Sequence, residues 1–312
     1  MTTALSSELL DIVAVGNTLG EAVLWDVPGQ RAWWTDIQER RLYRYDPVAR
    51  LLEQFELPQR LGSFGLIKDS DRIIAAFESG FAFYQPESGQ LEWIEQPGHD
   101  AANVRFNDGR VDRQGRFWAG SMVEGGGAAS GKLYCLASGA PGASSKILLT
   151  GIAISNSICF SPDGRQMYFA DTPHRMIVRY DLDPHSGAIS NRQLFARTPP
   201  GAYPDGSHVD AQGHLWNAQW GSGKVVRYAP DGTISGTIDV PAIHVSCVAF
   251  GGADLDLLFV TSARQGLSPI QLAGEPHAGD LFIYQLDIKG LADARFGATP
   301  LSPSMRDRPD LS

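Results

Sequence analysis

The chain has 312 residues, a net charge of −9 from 26 Lys+Arg against 35 Asp+Glu, and 43% hydrophobic residues. This length allows two domains or one large all-β domain, and the apolar content excludes a wholly disordered chain. The acidic balance disfavours nucleic acid and membranes as partners, no apolar run reaches the roughly 18 residues of a transmembrane helix, and Met1 to Val15 lacks the charged and apolar regions of a secretory signal.

In chain order, short runs rich in aromatic and β-branched residues recur: Arg31-Ala-Trp-Trp-Thr, Arg72-Ile-Ile-Ala-Ala-Phe, Arg116-Phe-Trp-Ala, Gln166-Met-Tyr-Phe-Ala, His214-Leu-Trp-Asn-Ala and Leu257-Leu-Phe-Val-Thr. Turn signals flank most of them, including Pro28-Gly29, Gln114-Gly115, Asp163-Gly164 and Gln212-Gly213. This pattern predicts short strands joined by tight turns, with few helices. The apolar residues before these turns (Trp25, Ile67, Val111, Phe160, Val209 and Phe250) recur every 40–50 residues or so. A further strand closes many of the units, as in Arg41-Leu-Tyr-Arg-Tyr-Asp46 and Met176-Ile-Val-Arg-Tyr-Asp181. Six such units predict an all-β, six-bladed β-propeller, a single domain over 1–301 followed by a loose tail from Ser302 to Ser312. The run Asp11-Ile-Val-Ala-Val15 has no unit of its own and is expected to complete the sixth blade. A pair of two-sheet sandwiches is the alternative that short strands alone allow, and the six-unit register favours the propeller. The WD class is disfavoured, because Trp25-Asp26 is a lone match.

Four residues before each aligned position stand Glu21, Ser63, Asn107, Asn156, Asp205 and Ser246, all oxygen-bearing. Equivalent positions of a radial repeat lie on one ring, so these six are expected to face one central mouth. Taken singly, Asn107-Asp108-Gly109 and Pro204-Asp205-Gly206 also read as turn sequences. Glu21, followed by Ala-Val-Leu-Trp, does not. Two carboxylates and two amides on one ring, with no Lys or His at that offset, would repel unless a cation sat between them. One divalent cation is therefore expected. All-oxygen ligation suits Ca²⁺, Mg²⁺ or Mn²⁺, and Zn²⁺ would usually bring His or Cys.

The segments Leu19-Gly-Glu-Ala-Val-Leu-Trp-Asp26, Arg105-Phe-Asn-Asp-Gly through Gly-Ser-Met122, Ser155-Asn-Ser-Ile-Cys-Phe-Ser-Pro-Asp-Gly164 and Tyr203-Pro-Asp-Gly-Ser-His-Val-Asp210 resemble the gluconolactonase family that includes regucalcin and luciferin-regenerating enzyme. The resemblance implies a six-bladed propeller with one divalent metal in its channel, and hydrolysis of sugar lactones. It implies Glu21, Asn156 and Asp205 as metal ligands, with Asp205 also the general base, and Arg105 and Asn107 as substrate-binding residues. Some members hold sugar hydroxyls with an acidic residue just after the Gly-x-Met stretch, and Glu124 lies one residue from that place. Two positions depart from the family pattern: Ala22-Val23 stands for the usual Gly-Pro, and Ser157 for the usual Gly.

A cation can take up charge on a lactone carbonyl and acidify a water, while a carboxylate such as Asp205 accepts the water's proton. Which of these activates the water is left open by the residues, as are the sugar, its ring size and the metal. Arg105 would bind hydroxyls or the acid product, although it reads equally as a surface partner of a nearby Asp. No Gly-x-Ser-x-Gly elbow occurs, and His174, His208 and His244 pair with no Ser or Cys by spacing. Cys159 and Cys247 sit in apolar runs and read as packing thiols, and the three cysteines (with Cys135) form no disulfide or zinc spacing, which fits a reducing cytoplasm. Trp220 lies outside the strand pattern, as a loop-packing residue or a sugar-pocket wall. The expected function is a metal-dependent lactonase acting on a small-molecule aldonolactone such as an L-arabinono-, D-xylono- or D-gluconolactone, in a monomer or small homo-oligomer. The alternatives are an organophosphate-type hydrolase on the same scaffold and a non-catalytic calcium-binding propeller.

Overall fold

The computed structural model describes residues 5–99, 103–137 and 143–297. The tail expected from Ser302 onward lies outside them. The described residues form six four-stranded antiparallel sheets, with one short α-helix at Pro269–Gly274 and a 3₁₀ turn at Thr172–His174. The first strands of the six sheets are Gly20–Asp26, Leu61–Leu66, Val104–Val111, Ser155–Phe160, Tyr203–Val209 and Val245–Gly251. They pack against one another in a closed ring, which makes them the innermost strands of blades 1 to 6 of a propeller. The sixth blade takes its outermost strand from the N-terminus: Ser7–Val13 pairs with Leu281–Leu286, as the unassigned run Asp11 to Val15 led one to expect. Closing the ring through both ends of the chain removes a gap between first and last blades. No described helix is long and apolar enough to cross a membrane.

The hairpins show why the repeat is visible in sequence. Asp112 and Asp210 stand at the same place in blades 3 and 5, just after an innermost strand. Asp112 Oδ1 accepts from the backbone N–H of Gln114 and Arg116, and its Oδ2 accepts from Trp118 Nε1 at 2.8 Å. Asp210 repeats this with Gln212, His214 and Trp216 Nε1, the last at 3.0 Å. One carboxylate thus folds the turn and satisfies the indole N–H that a buried Trp must place somewhere. Gly115 and Gly213, with φ of 82° and 81°, supply the left-handed residue these turns need. Cys135, Cys159 and Cys247 are all free and buried.

Each innermost strand carries one extra residue relative to its partner. The register slips between Glu21/Leu24, Leu61/Ser63, Phe106/Gly109, Asn156/Cys159, Pro204/Ser207 and Val245/Cys247. A β-bulge re-aims the side chain beside it. The triplets Asn107-Asp108-Gly109 and Pro204-Asp205-Gly206 are therefore bulges inside strands, not the turns their composition suggests. Gly206 is needed for close packing: a Cβ there would lie 2.5 Å from Cys247 Sγ in the next blade.

Candidate active site in the channel mouth

Glu21, Asn107, Asn156 and Asp205, from four different blades, line one cavity of about 350 Å³ together with Arg105. Four of the six ring positions thus converge there, and two do not. Ser63 and Ser246 are fully buried and do not line the cavity. In those two blades the register slips only between Leu61 and Ser63 and between Val245 and Cys247. Their short side chains stay within the wall, and Ser246 Oγ donates to Gly20 O at 2.5 Å.

The site is cross-linked between blades. Asn107 Nδ2 donates to Asn156 Oδ1 at 3.0 Å and to Ser155 O at 2.9 Å. Asn156 Nδ2 donates to Thr172 Oγ1, whose hydroxyl donates to Pro204 O, both at 2.9 Å. Ser157 Oγ donates to Asp205 O at 2.6 Å and accepts from Ser207 Oγ and Asn217 Nδ2. Thr172, Ser157 and Asn217 were not singled out in the sequence as site residues. Thr172 opens the 3₁₀ turn that follows the strand Gln166–Asp171 and Asn217 lies within a strand, so neither carries a local signal. Ser157 was visible only as a departure from the family pattern.

Electrostatics set this ring apart. Burial raises the Glu21 carboxyl to about 8, with the neighbouring Asp108 adding to the effect. Burial raises Asp205 well above the ordinary carboxylate range, and Glu21 and Asp108 push it further. Glu21 and Asp205 face the same cavity, and the charge of Glu21 makes a second buried carboxylate costly there unless a cation sits between them. Asp205 Oδ1 is buried with no hydrogen-bond partner. Asp108 is tied elsewhere: it accepts from Ile158 N at 2.7 Å, and burial raises it to about 6. Among the described residues no cluster of three or more His, Cys, Asp and Glu stands ready for a metal. The set here is instead two carboxylates and amide oxygens, a hard donor set with an orphaned buried oxygen, and it fits a divalent cation.

Arg105 is 2% exposed, so it is no surface residue, and its partner is a Glu. Its Nη1 donates to Phe106 O at 2.9 Å and Asn107 Oδ1 at 2.8 Å, and its Nε to Glu124 Oε1 at 2.8 Å. Burial lowers its pKa and the Glu124 charge opposes that. Glu124 does not line the cavity: it bridges Arg105 and Arg60, the latter at 2.7 Å. Trp220 closes the strand Leu215–Trp220, contrary to the loop position read from the sequence, and it lines the cavity. His244 stacks on its ring with centroids 4.1 Å apart.

Toward the far end of the same strands, residues 287–297 cross beneath the channel. Asp293 there pairs with Arg110 of blade 3, meets His208 Nε2 of blade 5 at 3.2 Å and accepts from Trp25 N of blade 1 at 3.2 Å. His208 is thus part of a floor lock; Cys159 lines the same small cavity, and burial pushes its thiol well above the ordinary range, away from a nucleophile's.

Residues 19–264 match the family described as the SMP-30/gluconolactonase/LRE-like region. The chain is 41% identical over 287 residues to an L-arabinolactonase of Azospirillum brasilense, covering 91% of this chain and 94% of that one. It is 36% identical over 289 residues to a 6-deoxy-6-sulfogluconolactonase of Pseudomonas putida, covering 91% and 97%. Among solved structures it is similar to the calcium-binding protein regucalcin of Agrobacterium tumefaciens, with a TM-score of 0.87, 31% identity and coverage of 95% and 98%.

Proposed function

The chain belongs to the SMP-30/gluconolactonase/LRE-like family, and we propose that it is a divalent-metal-dependent lactonase that opens a sugar lactone to its aldonic acid. It is a hydrolase of carboxylic esters of the gluconolactonase type. The observation that carries the metal-dependent reading is the pairing of Glu21 and Asp205, two buried carboxyls driven upward, with an orphaned oxygen between blades. Glu21, Asn156 and Asp205 would hold the cation, which when bound polarises the lactone carbonyl and acidifies water. Calcium is one candidate, since the similar regucalcin structure is described as calcium-binding; magnesium, manganese and zinc are the others.

The protein's own groups have distinct roles. Asp205 accepts a proton from the attacking water at Oδ1, the oxygen that no other group holds. Arg105 and Asn107 orient the lactone, with Arg105 fixed in place by Phe106 O and Glu124. Glu124 acts through Arg105 and not by direct contact with the cavity. The aromatic and aliphatic wall, including Trp220 and Met122, excludes water around the ring. The test is acid release from L-arabinono-, D-xylono- and D-gluconolactone by protein freed of metal with a chelator. The reading predicts little turnover until a divalent ion is returned. Hydrolysis that ignores chelation would overturn the metal dependence, and phosphotriester turnover in place of lactone turnover would overturn the substrate class.

A further inference from the structure

The walls of the same cavity carry information about which lactones enter it, and this inference rests on the lactonase reading. Above the oxygen ring the lining is Leu19, Met122, Ile154, Pro173, Tyr203 and Trp220, apart from Thr172 and Gln265. Thr172 is spent on Asn156 and Pro204, Gln265 Oε1 accepts from Gln38 at 2.9 Å, and the wall keeps two neutral donors, Gln265 Nε2 and the Tyr203 hydroxyl. Arg105 is the single Lys or Arg among the lining residues, and Glu124 sits on its Nε at 2.8 Å. Arg60, the next guanidinium, is taken up by Glu78 and Glu124 and does not reach the lining. Among the described residues the cavity therefore offers no uncommitted cation away from its floor. Trp220 is held from behind: His244 covers one face of the indole, interplanar angle 13°, while lying outside the lining itself, and its Nδ1 faces Gln265 O at 3.0 Å.

We propose that Trp220, braced by His244, makes this pocket selective for neutral aldonolactones with a short or apolar exocyclic chain, against lactones whose chain ends in a sulfonate, phosphate or carboxylate. An anionic tail would leave water for a largely apolar wall that offers neutral donors but no partner charge, a cost that neutral rings escape. The neutral ring instead gains the aromatic surface, which excludes water and contacts its C–H face. A similar protein is named a 6-deoxy-6-sulfogluconolactonase, for a lactone with a sulfonate on its exocyclic chain, so the scaffold itself does not impose this preference.

The experiment compares kcat and KM of the metal-loaded protein on L-arabinono-1,4-lactone, D-glucono-lactone and 6-phospho-D-gluconolactone, for wild type, Trp220→Ala, Trp220→Phe and His244→Ala. We expect wild-type kcat/KM on the phosphorylated ring to lie about 100-fold or more below that on the neutral pentonolactone. Trp220→Ala should raise KM for the neutral lactones about tenfold with kcat less affected, Trp220→Phe should restore most of the loss, and His244→Ala should fall between. Equal turnover of neutral and phosphorylated lactones would overturn the inference while leaving the lactonase reading intact. So would a Trp220→Ala variant that stays folded by circular dichroism and keeps wild-type KM. Hydrolysis of no lactone in the panel would overturn the lactonase reading, and the inference with it.

Discussion

Ala22 and Ser157 occupy the same place in two different blades: each follows a candidate ligand, each sits in a bulge, and each is left-handed, with φ of 52° and 59°. These are the two positions where the family pattern has Gly and this chain does not. For a side-chain-bearing residue that conformation costs about 1–2 kcal/mol. The two differ in what the side chain returns. Ala22 adds only a buried methyl, whereas the Ser157 hydroxyl ties the strand of Asn156 to the backbone of Asp205.

Glycine substitution should separate the two. Ala22→Gly relieves the backbone but loses about 0.8 kcal/mol of methyl burial and up to about 1 kcal/mol to chain entropy, so stability should move by less than about 0.5 kcal/mol. Ser157→Gly loses three hydrogen bonds of about 1 kcal/mol each and should be about 2 kcal/mol less stable. Urea denaturation of both variants measures this, and equal effects would contradict the assigned role of the hydroxyl.

Metal removal should make stability depend on pH in a particular direction. The Glu21 carboxyl stands at about 8 when folded, against 4.5 as its ordinary value. Between those values the folded state keeps a proton that the unfolded chain has released, so stability falls as pH rises. The melting temperature of chelated protein should therefore drop from pH 5 to pH 8. A divalent ion should raise it more at pH 8 than at pH 5, with proton release on binding. Thermal melts across that range check both signs.

Removing Glu124 leaves Arg105 buried without its counter-charge. Glu124→Ala should lower kcat/KM about tenfold, chiefly through KM, because the guanidinium loses its fixed position. Metal affinity, measured by calorimetry, should stay near wild type, since Glu124 lies outside the cavity lining. A large loss of metal affinity would contradict the separation of roles.

Much of the scaffold was legible because its repeat is built from local chemistry. The Asp–Trp turn of blades 3 and 5 and the glycines at positive φ leave marks a few residues apart. The four converging oxygens were legible for the same reason: they share one offset in the repeat. The failures at Ser63 and Ser246 trace to where the register slips in those blades, which no composition reveals. Thr172, Asn217 and the Trp220–His244 stack were hidden because their partners lie in other strands or neighbouring blades. The floor lock was hidden more deeply still, since Asp293 meets Trp25 N across 268 residues of chain.

That lock makes an acid-range prediction. Burial pushes the Asp293 carboxyl up, but Arg110 and His208 outweigh it and hold the group well below the usual carboxylate range. Its contribution is therefore present above about pH 4 and is lost only as pH falls toward its lowered folded value. Asp293→Asn should cost about 3 kcal/mol at neutral pH by leaving Arg110 unpaired in a buried setting. The deficit should stay level from pH 8 to pH 5 and shrink only in stronger acid. Denaturant titrations at several pH values test this, and a deficit that vanished already at pH 6 would contradict it.

The most direct test of the channel site is anomalous diffraction from crystals soaked in manganese. The account predicts one strong peak in the mouth, within about 2.0–2.6 Å of side-chain oxygens of Glu21, Asn156 and Asp205, and none in crystals of Asp205→Ala. A peak elsewhere in the molecule with none between these three residues would contradict it.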